Sequence, residues 1–189
     1  MGTHPFPLVC ATHGSPQTRR LGARVAGVVE AGDVLLVSGD LGAGKTTFVQ
    51  GLARGLGIDD PVTSPTFTLV RIYPCNPSRP EGPQPPRALV HVDVYRLGSL
   101  HEVFDLGVAE ELDQGAVATV EWGEAVGEAF APPHLSDHLS VHLERSPSGD
   151  ADGRVIRFDG TGASWERRQA ALAEVVAVAG GRPVPEEAL

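Results

Sequence analysis

The stretch Val34-Leu-Leu-Val-Ser-Gly-Asp-Leu-Gly-Ala-Gly-Lys-Thr-Thr47 constrains this chain more than any other. It reads as a buried strand, then a glycine-rich loop, then the opening turn of a helix. Gly39, Gly44, Lys45 and Thr46 fill the spacing of a phosphate loop. The glycines allow backbone N–H groups to curl around an anion with no side chain in the way, and the helix beginning near Thr46 adds its positive end. Lys45 reaches the β- and γ-phosphates, and the Thr46 hydroxyl is placed to hold Mg²⁺.

Composition strengthens this reading. Lys45 is the one lysine among 15 lysines and arginines, so an arginine-biased sequence keeps a compact ammonium on a flexible stem at this position. A guanine-reading Asn-Lys-x-Asp segment would need a second lysine, and a dinucleotide fingerprint would need glycine where Thr47 stands. The expected ligand is a nucleoside triphosphate rather than NAD.

At 189 residues, 41% hydrophobic and 21% charged, the chain has the size and composition of one globular domain. A net charge of −9 argues against a grip on nucleic acid by this chain alone. Cys10 and Cys75 show no metal spacing, no run approaches membrane-spanning length, and the N-terminus lacks a signal-peptide pattern. A soluble cytoplasmic protein is expected, with no membrane partner.

Residues 1–14 are expected to form a flexible N-terminus. Ser15 and Pro16 suggest an N-cap and first turn, with Leu21, Val25, Val28 and Val29 carrying a helix to about Glu30. After the loop helix, which ends at Gly57, the segment 62–70 sets three hydroxyls around Pro65 and then turns β-branched and aromatic, so its second half reads as a strand. Ser64, Pro65 and Thr66 could sense a γ-phosphate or simply form a satisfied turn. Residues 74–87 hold six of the 16 prolines and read as a surface loop between two strands of an antiparallel ribbon. The second of these, Ala88 to Tyr95, alternates: Val90, Val92 and Val94 on one face, His91, Asp93 and Tyr95 on the other. With a phosphate loop in the chain, Asp93 is a candidate to face the metal or the attacking water.

Ser99-Leu-His-Glu102 is a capping box and predicts a helix. Residues 116–122 form another apolar strand, and Glu121 at its carboxyl end is a metal-ligand candidate, because ligands of open α/β sheets lie beyond such ends. Leu139 to Leu143 and Arg154 to Phe158 read as a hairpin added to the sheet edge, and 164–178 as a final helix before a flexible tail, 180–189. The expected architecture is α/β: a phosphate-loop NTPase-type three-layer fold with a mixed, mainly parallel sheet and an antiparallel ribbon, all within a single domain at 15–179.

Four motifs stand in order: Gly39 to Thr46, Ser64-Pro-Thr-Phe-Thr-Leu-Val70, His91-Val-Asp-Val-Tyr-Arg-Leu97 and Val120-Glu-Trp122. In that order and spacing they resemble the ATPase family of tRNA threonylcarbamoyladenosine biosynthesis, TsaE, also called YjeE. The resemblance covers roughly residues 15–160. It implies an ATP-hydrolysing subunit that uses ATP and Mg²⁺, works with the proteins of the tRNA threonylcarbamoyltransferase complex, and meets tRNA only through them. It also implies that Gly42, Ala43, Gly44, Lys45, Thr46 and Thr47 wrap the phosphates, that Thr46 and Glu121 ligate Mg²⁺, that Lys45 and Asp93 are needed for hydrolysis, and that Ser64, Pro65 and Thr66 form a switch-like segment. Arg154 matches a family position near the nucleotide, and Ser15 is a further nucleotide-side candidate. Loop 74–87 is longer than is usual in the family. Two other readings remain: a small-molecule phosphotransferase, and a nucleotide-sensing interaction module with little turnover.

Overall fold

The computed structural model describes residues 7–65, 69–76, 85–94, 107–121, 137–147 and 150–178. Seven strands form one sheet: β1 (Leu8–His13), β2 (Val34–Ser38), β3 (Val70–Pro74), β4 (Ala88–Asp93), β5 (Val117–Glu121), β6 (His138–Arg145) and β7 (Gly153–Thr161). Among the described residues four helices accompany them: α1 (Gly14–Val25), α2 (Lys45–Gly55), α3 (Ala109–Asp113) and α4 (Ala163–Val178).

The strand order is β1-β7-β6-β2-β5-β4-β3. At the centre β6, β2, β5 and β4 run parallel, and antiparallel pairs close both sides: β3 on β4, and β7 followed by β1 beyond β6. The expected mixed three-layer α/β fold is therefore present, including the antiparallel ribbon of β3 and β4. The β6–β7 hairpin also forms, but it does not end the sheet. Its first strand pairs parallel with β2, and β1 lies outside its second.

The two faces of the sheet bury different sets. Leu35, Val37, Leu89, Val117, Leu139 and Val141 pack with Phe48, Val49 and Leu52 of α2, Leu21 and Val25 of α1, and Trp165 and Leu172 of α4. Val34, Leu36, Val90, Val92, Ala118 and Val120 form the opposite cluster with Val108. A strand buried on both faces reads as a continuous apolar run, which is why β2 and β5 stand out in the sequence. Helices α1 and α2 pack at very short range. A Cβ on Gly51 would lie 2.1 Å from the Arg19 carbonyl oxygen, so only glycine permits that approach.

Several boundaries differ from expectation. Residues 8–13, expected to be part of a flexible N-terminus, form the edge strand β1, which buries Val9 and Cys10 and pairs along its length with β7. Ser15 is not the N-cap of α1. The helix starts at Gly14 with His13 as cap, and the Gln17 side chain accepts a 2.8 Å hydrogen bond from the His13 amide. Pro16 then falls in the first turn, where its missing N–H costs nothing. The α-helix ends at Val25 and only a 3-10 turn, Ala26–Val28, continues it. Strand β3 begins at Val70, and Leu69 before it takes a left-handed φ of 64° that turns the chain into the strand; residues 66–68 of the expected strand lie outside the described residues.

The capping-box helix at Ser99, Tyr95, Trp122, Thr66 and the tail 180–189 lie outside the described residues. Among the described residues no helix is long and apolar enough to cross a membrane. Both cysteines are free, and burial pushes the Cys10 thiol up to about 12 and the Cys75 thiol up to about 11, so neither is poised as a nucleophile.

Candidate functional site

Strand β2 delivers the chain to the carboxyl end of the parallel sheet, where Gly39 to Gly44 form the loop and Lys45 opens α2. The loop depends on backbone that side chains rarely allow: Gly39, Gly42 and Gly44 take φ of 133°, 79° and 107°. A Cβ on Gly39 would also meet the Leu143 carbonyl oxygen at 2.1 Å, so β6 presses directly against the loop. The Lys45 ammonium is folded back over this loop, where Nζ donates to the carbonyl oxygens of Gly39 at 2.6 Å and Asp40 at 3.0 Å. Its charge therefore already sits over the loop.

Opposite the first turn of α2, the parallel register sets Asp93 of β4 beside Glu121 of β5. Both are buried, at 8% and 3% exposure. The Thr46 hydroxyl donates to Glu121 Oε2 at 2.9 Å, and the other carboxylate oxygen, Oε1, is bonded to His91 Nε2 at 2.6 Å. Asp93 Oδ2 accepts from the Ser64 hydroxyl at 2.9 Å. Residues 91 and 93 share a face of β4 because side chains alternate along a strand, and that face is the one α2 covers.

The switch-like segment is tied to the same helix. Gln50, one turn after Thr46, donates to the Val62 carbonyl oxygen at 2.9 Å, and Arg71 donates to Thr63 Oγ1 at 2.9 Å. Pro65 is buried. Thus Ser64 lies against the carboxylate pair and Pro65 follows it as a buried residue, whereas Thr66 is outside the described residues.

On the other flank Arg154 of β7 reaches the loop from outside. Its Nε donates to the Ala43 carbonyl oxygen at 2.9 Å and its Nη2 to that of Gly42 at 3.3 Å. Ser15 and Thr18 of α1, Gly42, Gly44, Thr47 and Arg154 line one small cleft of about 80 Å³. Ser15, misjudged as a cap, is brought to the loop together with Arg154. Arg145, at the end of β6, also stands here, its Nη2 3.3 Å from where a Cβ on Gly42 would be.

The donors fit Mg²⁺ with a triphosphate. Among the described residues no three His, Cys, Asp or Glu side chains converge as a self-sufficient metal cage. One hydroxyl and one carboxylate beside a phosphate loop are what an oxygen-preferring cation needs when phosphates and water complete its shell. Sequence reasoning missed His91, Gln50 and Arg145. His91 alone carried a signal, as the residue two before Asp93 on an alternating strand.

The family described as "Threonylcarbamoyl adenosine biosynthesis protein TsaE" matches residues 12–154. A Streptomyces coelicolor protein described as tRNA threonylcarbamoyladenosine biosynthesis protein TsaE is 42% identical over 164 residues, covering 86% of this chain and 99% of that one. A Bacillus subtilis protein of the same description is 38% identical, covering 79% of this chain and 84% of that one. The crystal structure of Bacillus subtilis YdiB superposes with a TM-score of 0.65 at 32% identity, covering 89% of this chain and 95% of that one. The motifs, the fold and these relatives agree, and the chain belongs to the TsaE family.

Proposed function

We propose that this chain is a Mg²⁺-dependent ATPase that acts with the threonylcarbamoyl-transfer enzymes in the threonylcarbamoyladenosine modification of tRNA. ATP binding and hydrolysis reset that assembly rather than make the modified base. The observation that carries the reading is the Thr46–Glu121 hydrogen bond at the mouth of the phosphate loop, with Asp93 on the neighbouring strand.

The loop amides and Lys45 bind the phosphates, Lys45 exchanging the carbonyls of Gly39 and Asp40 for phosphate oxygens. Arg154, braced on the carbonyls of Ala43 and Gly42, adds positive charge at the loop's outer side. Thr46 and Glu121 would hold Mg²⁺. The ion, when bound, neutralises charge on the β- and γ-phosphate oxygens. Asp93 orients a water for in-line attack and takes up its proton. A new P–O bond to that water forms as the bond to the ADP oxygen breaks, giving ADP and phosphate. Ser64, bonded to Asp93, couples this base to the segment that precedes β3.

Phosphate release from Mg·ATP, with the chain alone, with an added small-molecule acceptor, and with the threonylcarbamoyl-transfer proteins, tests the reading. Slow release alone that rises with the partner proteins is expected. Transfer to the acceptor, or binding without turnover in every mixture, would overturn it.

A further inference from the structure

We propose that His91 is a positioning residue for the metal pair: its single hydrogen bond fixes the Glu121 carboxylate in the orientation that meets Thr46. This inference rests on the reading of Thr46 and Glu121 as the Mg²⁺-holding pair.

Glu121 divides its two oxygens, Oε2 taking the Thr46 hydroxyl at 2.9 Å and Oε1 taking His91 Nε2 at 2.6 Å. The His91 side chain is completely buried and that of Glu121 is 4% exposed, so water does not compete for the contact. The imidazole sits on β4, one step inward from Asp93, and reaches diagonally across to β5, where its register partner is Thr119. Its far nitrogen, Nδ1, has no hydrogen-bond partner among the described residues, and neither does the buried Thr119 Oγ1.

That orphaned nitrogen separates a positioning role from simple packing. A buried polar group without a partner costs roughly 1–3 kcal/mol. The flanking inward positions on the same two strands, Leu89 and Val117, are filled by apolar side chains that carry no such cost. Packing alone would be better served by another of these. What the imidazole adds is one N–H, held on a rigid ring and aimed at the carboxylate oxygen that Thr46 does not hold. A carboxylate oriented before the ion arrives loses less freedom on binding it, and removing such a supporting partner from a metal ligand typically costs about 10–100-fold in metal affinity. His91 touches neither nucleotide nor reacting atoms and acts only through Glu121.

Calorimetric titration with ATP, once with saturating Mg²⁺ and once with chelator, measures the metal's share of binding as a ratio of two affinities. Three variants are compared with the parent, with thermal melts of each in chelator. His91→Leu removes the donor. His91→Gln returns an amide N–H near the Nε2 position. His91→Asn carries an amide too short to reach Glu121 and replaces His91→Leu should that variant fail to fold. The expected result is a Mg²⁺ ratio reduced about 10–100-fold in His91→Leu or His91→Asn, unchanged metal-free affinity, and recovery in His91→Gln. An unchanged ratio in the variants, or equal losses with and without Mg²⁺, would overturn the positioning role. A parent protein that binds ATP equally with and without Mg²⁺ would instead overturn the metal-site reading beneath it.

Discussion

Two buried ionic clusters stand at opposite ends of β2, and they are completed to different degrees. At the amino end, Asp33 faces Arg168 of α4 through two hydrogen bonds, at 2.6 and 2.8 Å. The other guanidinium donors go to the Val28 carbonyl oxygen, the Ser164 hydroxyl and the Ser164 carbonyl oxygen, and the cation lies 4.1 Å over the Trp165 ring. Burial works against the Arg168 charge, but the hydrogen bonds and charge of Asp33, with Glu30 and Asp137, more than offset it and the guanidinium pKa is raised. Every N–H of the group has an acceptor, so nothing is left to offer a ligand.

At the carboxyl end, Glu121 accepts one hydrogen bond on each oxygen, from Thr46 and His91, where a carboxylate has about four acceptor positions. Among the described residues His91 Nδ1 and Thr119 Oγ1 beside it have no partner. The closed cluster ties α4 to the turn before β2 and holds the fold. The open one keeps acceptor capacity on the Glu121 carboxylate, which meets Thr46 beside the phosphate loop. Burial alone thus hides opposite roles, and the difference shows only when each donor and acceptor is counted.

This contrast predicts which change damages activity and which damages stability. Asp93→Ala should have the largest effect. It should keep nucleotide binding and partner docking but lower partner-stimulated phosphate release by roughly 10²–10⁴-fold, the usual contribution of a positioned base. Arg168→Ala should do the reverse. Leaving Asp33 buried without its cation costs about 3 kcal/mol, seen as a lower denaturation midpoint, while protein that remains folded should bind ATP like the parent. Lys45→Ala should weaken triphosphate binding by about 1.5–3 kcal/mol, roughly tenfold or more, in calorimetry. Its melting temperature should stay near the parent's, since among the described residues Lys45 bonds only to loop carbonyls.

The smallest effect belongs to neither cluster. Hydrogen bonds from His13 and from the Asp152 amide hold the exposed Asp150 carboxyl below its ordinary value of 3.8. A carboxyl lowered on folding contributes stability above that value and loses it as pH falls towards the lower folded one. Melting temperature measured through this acid range should fall slightly less steeply in Asp150→Asn than in the parent.

Much of the site was legible in the sequence because its parts are local. The phosphate loop is one contiguous segment, and alternation alone put Asp93 on the face opposite Val90 and Val92. Glu121 followed from its place at a strand end. The unread features are those that only distant pairing creates. β1 is a short edge strand whose partner, β7, lies more than a hundred residues later, so residues 8–13 carried no signal of their own. His91 and Glu121 are 30 residues apart, and Arg168 and Asp33 are 135 apart. The N-cap of α1 was misplaced for a local reason: Ser15 and Pro16 resemble a helix start, but the Gln17 side chain caps one residue ahead of Gly14.

The central claim, that the open cluster is the metal–nucleotide site, is tested most directly by a crystal structure with Mn²⁺ in place of Mg²⁺ and a non-hydrolysable ATP analogue. Mn²⁺ scatters anomalously and so can be located without assumption. The ion is expected between the phosphates, the Thr46 hydroxyl and the Glu121 side, with Lys45 Nζ moved from the Gly39 and Asp40 carbonyls onto the phosphates. An anomalous peak elsewhere, or triphosphate bound with the Thr46–Glu121 hydrogen bond intact and no ion beside it, would contradict it.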